Sequence, residues 1–147
     1  MVVARLRARE RLVVDGRVRL GRGVVFDVAP GARVVLGDGC GVGAGSRFHV
    51  ASGEVRIGPH AVLGERCVVA AHELVEVGAG AALGDEVVLV DFEHDIADVE
   101  HPVRLQAVVA APVRIGDRAV VGSGAAVTHG ASVRDGARVL ARSVVAG

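Results

Sequence analysis

Along this chain an aliphatic residue followed by glycine returns in couples six residues apart. The couples are Leu36-Gly37 with Val42-Gly43, Ile57-Gly58 with Leu63-Gly64, Val77-Gly78 with Leu83-Gly84, and Ile115-Gly116 with Val121-Gly122. Four residues after each aliphatic stands a second recurring position, mostly small: Cys40, Ser46, Ala61, Cys67, Ala81, Val87, Ala119 and Ala125. A hexad with one large and one small inward position predicts a parallel β-helix, in which each short strand forms one side of a triangular coil.

Each couple is followed by a third hexad, beginning at Phe48, Val69, Leu89 and Val127. Three hexads close a coil, so the next couple should begin six residues later. It does so after Val127, at Val133, but arrives late at Ile57, Val77 and Ile115. All the surplus residues therefore leave the solenoid at one corner of the prism. Two surpluses are small bulges. The third is a loop over 90–112, an excursion of the kind that carries function more often than packing. Residues 1–16 read as an N-terminal cap, and 17–147 as one β-helix domain.

Composition narrows the possibilities. The chain is 51% hydrophobic but only 2% aromatic, so the interior is aliphatic, which suits a narrow prism. Its basic and acidic residues balance at 17 each, for zero net charge. With no basic stripe interleaved with aromatics, nucleic-acid binding is not expected. No apolar run is long enough to span a membrane and no signal peptide opens the chain, so a cytoplasmic protein is expected. Cys40 and Cys67 occupy small inward hexad positions and read as core residues rather than reactive thiols.

The long loop concentrates the reactive side chains. From Val90 to Gln106 it holds two His, three Asp, two Glu and one Arg. Asp91-Phe92-Glu93-His94-Asp95-Ile96-Ala97-Asp98, then Pro102-Val103, then Ala111-Pro112-Val113-Arg114-Ile115-Gly116-Asp117, set among these hexads, resemble the maltose/galactoside O-acetyltransferase group of hexapeptide-repeat acyltransferases. The resemblance runs over residues 34–145. It implies an all-β fold, a left-handed parallel β-helix, and a homotrimer with active sites between neighbouring subunits. It also implies acetyl-CoA as donor and a hydroxyl of a sugar or glycan as acceptor, with no metal.

His94 falls at the family's catalytic histidine. A neutral imidazole suits the removal of a proton from a sugar hydroxyl as it attacks a thioester. Asp95 or Asp98 would fix its tautomer. The family's oxyanion amide lies in the hexad Trp-Ile-Gly-Ser, which corresponds here to Val120-Val121-Gly122-Ser123. Ser123 inherits that role through its main chain, with Gly122 beside it on the cofactor path and Val120 in place of the Trp. Ala141 falls at a main-chain contact to the pantetheine arm. The final hexads carry Arg134, Leu140 and Arg142 at glycine places, with Arg138 or Arg142 able to serve the CoA phosphates. The basic tail that follows in the family does not follow Gly147, and weak binding of acetyl-CoA is the expectation.

Two further readings compete. The γ-type carbonic anhydrases share the solenoid and hold zinc through three His. Here His49, His72 and His94 sit at different offsets within their hexads, and side chains so staggered do not converge. A non-catalytic β-helix scaffold is the other alternative.

Overall fold

The computed structural model describes residues 4–6, 11–94 and 108–147. The chain winds as a left-handed parallel β-helix, with no α-helix among the described residues. An opening strand, β1 (Ala4–Leu6), precedes six coils. They comprise β2 (Leu12–Val14), β3 (Arg19–Leu20) and β4 (Val24–Val28); β5 (Arg33–Leu36), β6 (Gly41–Val42) and β7 (Arg47–Val50); and β8 (Glu54–Ile57), β9 (Val62–Leu63) and β10 (Val68–Ala71). The fourth coil is β11 (Leu74–Val77), β12 (Ala82–Leu83) and β13 (Val88–Val90). The excursion β14 (Phe92–His94) and β15 (Val108–Ala110) follows. The fifth coil is β16 (Val113–Ile115), β17 (Val120–Val121) and β18 (Ala126–Val127), and the sixth is β19 (Ser132–Val133), β20 (Arg138–Val139) and β21 (Val144–Val145).

Stacking the coils makes three parallel sheets, one per side of the prism. Face A is β1-β4-β7-β10-β13-β18-β21, face B is β2-β5-β8-β11-β16-β19, and face C is β3-β6-β9-β12-β17-β20. The expected cap is thus partly woven into the prism: β1 pairs with β4 and β2 with β5.

The inward column is the one the hexads specify. Leu36, Ile57, Val77 and Ile115 are buried, as are all eight residues of the second inward series from Cys40 to Ala125. Two aromatics, Phe26 and Phe48, are paired across adjacent strands with ring centroids 4.8 Å apart.

The glycine of the beat has a steric cause. A Cβ on Gly37 would lie 2.6 Å from Pro59 N, and one on Gly58 2.7 Å from Ala79 N. Gly43, Gly64, Gly78, Gly84, Gly116 and Gly122 face the following coil equally closely. The corner is where consecutive coils press backbone to backbone. In the last coil, Arg134 and Leu140 take the corresponding places, and no coil lies above them.

The surplus residues leave between faces A and B, as the step lengths predict. The corner after β7 is 51–53, the corner after β10 is 72–73, and the long excursion follows β13.

Candidate functional site

The excursion leaves the prism on a two-stranded antiparallel ribbon, with Phe92 opposite Ala110, Glu93 opposite Val109 and His94 opposite Val108. Asp91 roots it. Its side chain is fully buried, and its carboxylate accepts three main-chain hydrogen bonds from the corner one coil below. Oδ1 takes His72 N–H at 2.8 Å, and Oδ2 takes Glu73 N–H at 2.8 Å and Leu74 N–H at 2.7 Å. The Asp91 carbonyl accepts from Ala111 N–H at 2.9 Å, which ties the outgoing and returning strands together. A carboxylate that is buried needs such donors, because an unpaired buried charge costs several kcal/mol.

Two more contacts hold the ribbon from its sides. The Phe92 ring meets the His72 ring edge-on, with centroids 4.2 Å apart. Glu93 Oε1 lies 3.3 Å from His129 Nε2, at the corner of the fifth and sixth coils. Side chains of three consecutive residues, Asp91 to Glu93, are therefore all engaged immediately before His94. The backbone of His94 ends β14; its side chain, and Asp95, Asp98 and His101, lie outside the described residues.

The second predicted element lies at the corner between faces C and A. There the residues after the glycine of the beat form an axial ladder. Glu65 N–H donates to Asp85 Oδ1 at 2.8 Å, and Asp85 N–H donates to Ser123 Oγ at 3.0 Å. The next rung is Ala141, which has no side-chain oxygen. The ladder breaks there, and among the described residues the exposed Ser123 N–H has no acceptor. The Ser123 hydroxyl accepts from Asp85 N–H, and its carbonyl accepts from Arg142 N–H at 3.0 Å.

Arg142 holds φ +62°, in the left-handed region, and its stem lies over Gly124, whose added Cβ would stand 3.3 Å from Arg142 Cγ. The corner is therefore shallow at Ser123 and Gly124 and walled by an arginine above. Gly122 brings Ser123 and Ala141 together, because its missing Cβ would strike the Ala141 backbone.

These two elements do not meet within one chain. The ribbon leaves at the A/B corner and Ser123 stands at the C/A corner, with one hexad of face A between them, about 15–20 Å of strand. The structure brings together Gly122, Ser123, Ala141 and Arg142, and it separates them from His94.

Three of the remaining histidines have local partners. His49 Nδ1 lies 3.7 Å from Asp27 Oδ2, His72 stacks on Phe92, and His129 pairs with Glu93. No group of three or more His, Cys, Asp or Glu able to hold a metal occurs among the described residues. Both cysteines are buried and free. Burial pushes the Cys40 thiol up to about 11 and raises that of Cys67.

Sequence reasoning missed Asp91 and the broken ladder. A signal existed for each: an acidic residue directly after a core strand at the foot of the excursion, and an Ala where the preceding rungs carry oxygen.

Comparison with known proteins bears on the same segments. Residues 112–145, the last two coils, match the family described as the hexapeptide repeat of succinyl-transferase. The chain is 28% identical over 116 residues to a probable acetyltransferase of Mycobacterium tuberculosis, covering 78% of this chain. It spans 39% of that relative's length. Among solved structures, AntD, an N-acyltransferase from Bacillus cereus, is similar in fold. An Asp-to-Asn variant in complex with dTDP and coenzyme A superposes with TM-score 0.69 at 14% identity, over 89% of this chain and 74% of that one. An Asp-to-Ala variant in the same complex gives 0.56 at 14% identity, over 86% and 72%.

Proposed function

We propose that this chain is an acyltransferase that moves an acetyl group from acetyl-CoA to a hydroxyl of a sugar or glycan, at sites shared between the subunits of a homotrimer. The observation that carries the reading is the open Ser123 N–H. It is exposed, it sits where the ladder is interrupted by Ala141, and an amide so placed can receive the oxygen of a tetrahedral intermediate.

In this reading the pantetheine arm lies along the C/A corner past Ser123 and Ala141, where main chain is accessible. The acceptor hydroxyl attacks the thioester carbon while His94 of a neighbouring chain takes its proton. The carbonyl oxygen gains negative charge and is held by Ser123 N–H. Collapse reforms the carbonyl and breaks the C–S bond, and the imidazolium returns the proton to the departing thiolate. The separation of His94 from Ser123 within one chain supports a shared site: neighbouring prisms must each supply one corner. Asp95 is assigned to orient His94, and Arg142 to face the CoA phosphates. The relative's description as an acetyltransferase and the coenzyme A in the AntD complexes support the donor class. Because AntD is an N-acyltransferase, aminosugars belong in the acceptor panel beside sugars with only hydroxyls.

The test restores the missing rung. Ala141→Asp places a carboxylate where Asp85 stands two coils below, so that it accepts from Ser123 N–H. The fold should keep or gain stability, while thiol release from acetyl-CoA with the responsive acceptor should fall about 10²–10³-fold. His94→Ala should lower kcat about 10²–10⁴-fold. Light scattering should give about 45 kDa, three chains of 15.0 kDa. Full activity in Ala141→Asp, or an active monomer, would refute the reading.

A further inference from the structure

The chain has three aromatic residues of the Phe, Tyr and Trp kind, all Phe. Phe26 and Phe48 are consumed by the core. Phe92 is not: it is half-buried on the outside of the prism, at the foot of the excursion. Together with His72 it forms one wall of a cavity of about 300 Å³ on face A.

The outward column on this face explains the cavity. Strand register stacks Asp27, His49, Ala70 and Val90 one above another, each on its own coil. Neighbouring coils are about 4.8 Å apart. Ala70 is the short side chain of the column, so a notch opens above His49. Beside the notch stand the two rings, and at its lower edge the Asp27–His49 pair presents a carboxylate and an imidazole 3.7 Å apart. The wall is fixed in place. Asp91 binds the main chain of His72 and immediately precedes Phe92, so both rings are rooted in the same buried hydrogen-bond cluster.

We infer that this notch binds one pyranose ring of the acceptor, its C–H face against Phe92 and His72 and its hydroxyls on Asp27 and His49. A sugar ring has an apolar face and a rim of hydroxyls that both donate and accept. It needs an aromatic wall joined to a mixed donor–acceptor edge; Phe92 and His72, their planes 65° apart, supply the first and Asp27 with His49 the second. The step of one coil, set by Ala70, matches the width of a single six-membered ring. Identifying that ring as an acceptor rests on the acyl-transfer reading; its binding does not.

The test is saturation-transfer NMR on the full chain with methyl β-D-glucopyranoside and methyl β-D-galactopyranoside. Thymidine serves as a ring of another class. At least one glycoside should bind in the millimolar range. Phe92→Leu and Ala70→Val, which remove the aromatic wall and fill the notch, should each weaken it at least about fivefold with the circular dichroism unchanged. Asp27→Asn should weaken it too. Binding of neither glycoside, binding of thymidine alone, or undiminished glycoside binding in both wall and notch variants would overturn the inference. Titrating the same samples with acetyl-CoA separates the two readings. Acetyl-CoA binding without a glycoside signal removes the notch and leaves acyl transfer standing. A glycoside signal sensitive to Phe92 and Ala70, without acetyl-CoA binding, supports the notch and counts against acyl transfer.

Discussion

Replacing Asp91 by Ala should be the most damaging single change at the root of the excursion. The native carboxylate is fully buried and accepts from three main-chain N–H groups at 2.7–2.8 Å. Ala supplies no acceptor, and the full burial of this position limits the access of water. Each donor left unsatisfied costs about 1–2 kcal/mol, so the loss should be about 3–6 kcal/mol in all. Set against a typical net stability of about 5–15 kcal/mol, that is a large share. Asp91→Asn keeps the shape and one oxygen. It can still serve Glu73 and Leu74 but turns an amide toward His72 N–H, and about 1–2 kcal/mol is expected. Urea unfolding followed by circular dichroism, at one fixed protein concentration, measures both. Hydrogen exchange gives the local signature: the amides of His72, Glu73 and Leu74 should lose protection together, while those of the sixth coil keep theirs. The reasoning fails if Asp91→Ala costs less than about 1 kcal/mol, or if Asn is as harmful as Ala.

Two further predictions concern the coils themselves. Cys40 and Cys67 should stay unreactive to an aromatic disulfide reagent in the native protein at pH 8 and react stoichiometrically after unfolding, because burial holds both thiols protonated. Since the folded Cys40 value, about 11, lies above its ordinary 9.0, the unfolded thiol ionises first. Stability should therefore be untouched by this group below pH 9.0 and fall as pH rises toward about 11; stability that is flat over that window would contradict the assignment. Gly122→Ala should destabilise by about 1–3 kcal/mol, because the new methyl meets the Ala141 backbone, which cannot swing aside. Leu140→Ala, at the same hexad position with no coil above, should cost well under about 1 kcal/mol by the same unfolding assay.

The fold was legible because its determinants are local and repeated. An aliphatic–Gly step every six residues records a buried side chain and a close backbone approach in adjacent letters, as at Ile57-Gly58 and Leu83-Gly84. The corner of departure was legible for the same reason, since any surplus shifts the phase of everything after it. The site was less so. The ladder from Glu65 through Asp85 to Ser123 links residues 20 and 38 positions apart. Its consequence at Ala141 depends on what a residue lacks rather than on what it carries. Asp91 reads in sequence as one more acidic residue in a charged loop, and only the coil below shows that it is buried. The notch beside Phe92 needs four strands in register before Ala70 becomes a gap.

The glycines of the beat also set how closely successive coils approach. Each one leaves space for the backbone of the coil above. At the sixth coil Arg134 and Leu140 stand in those places, and Leu140 is 71% exposed. A side chain in such a place does not bar stacking: Asp15 holds the place of Gly37, and the second coil still pairs in register over the first. The two kinds of corner therefore differ in how much backbone contact they permit, not in whether coils can stack.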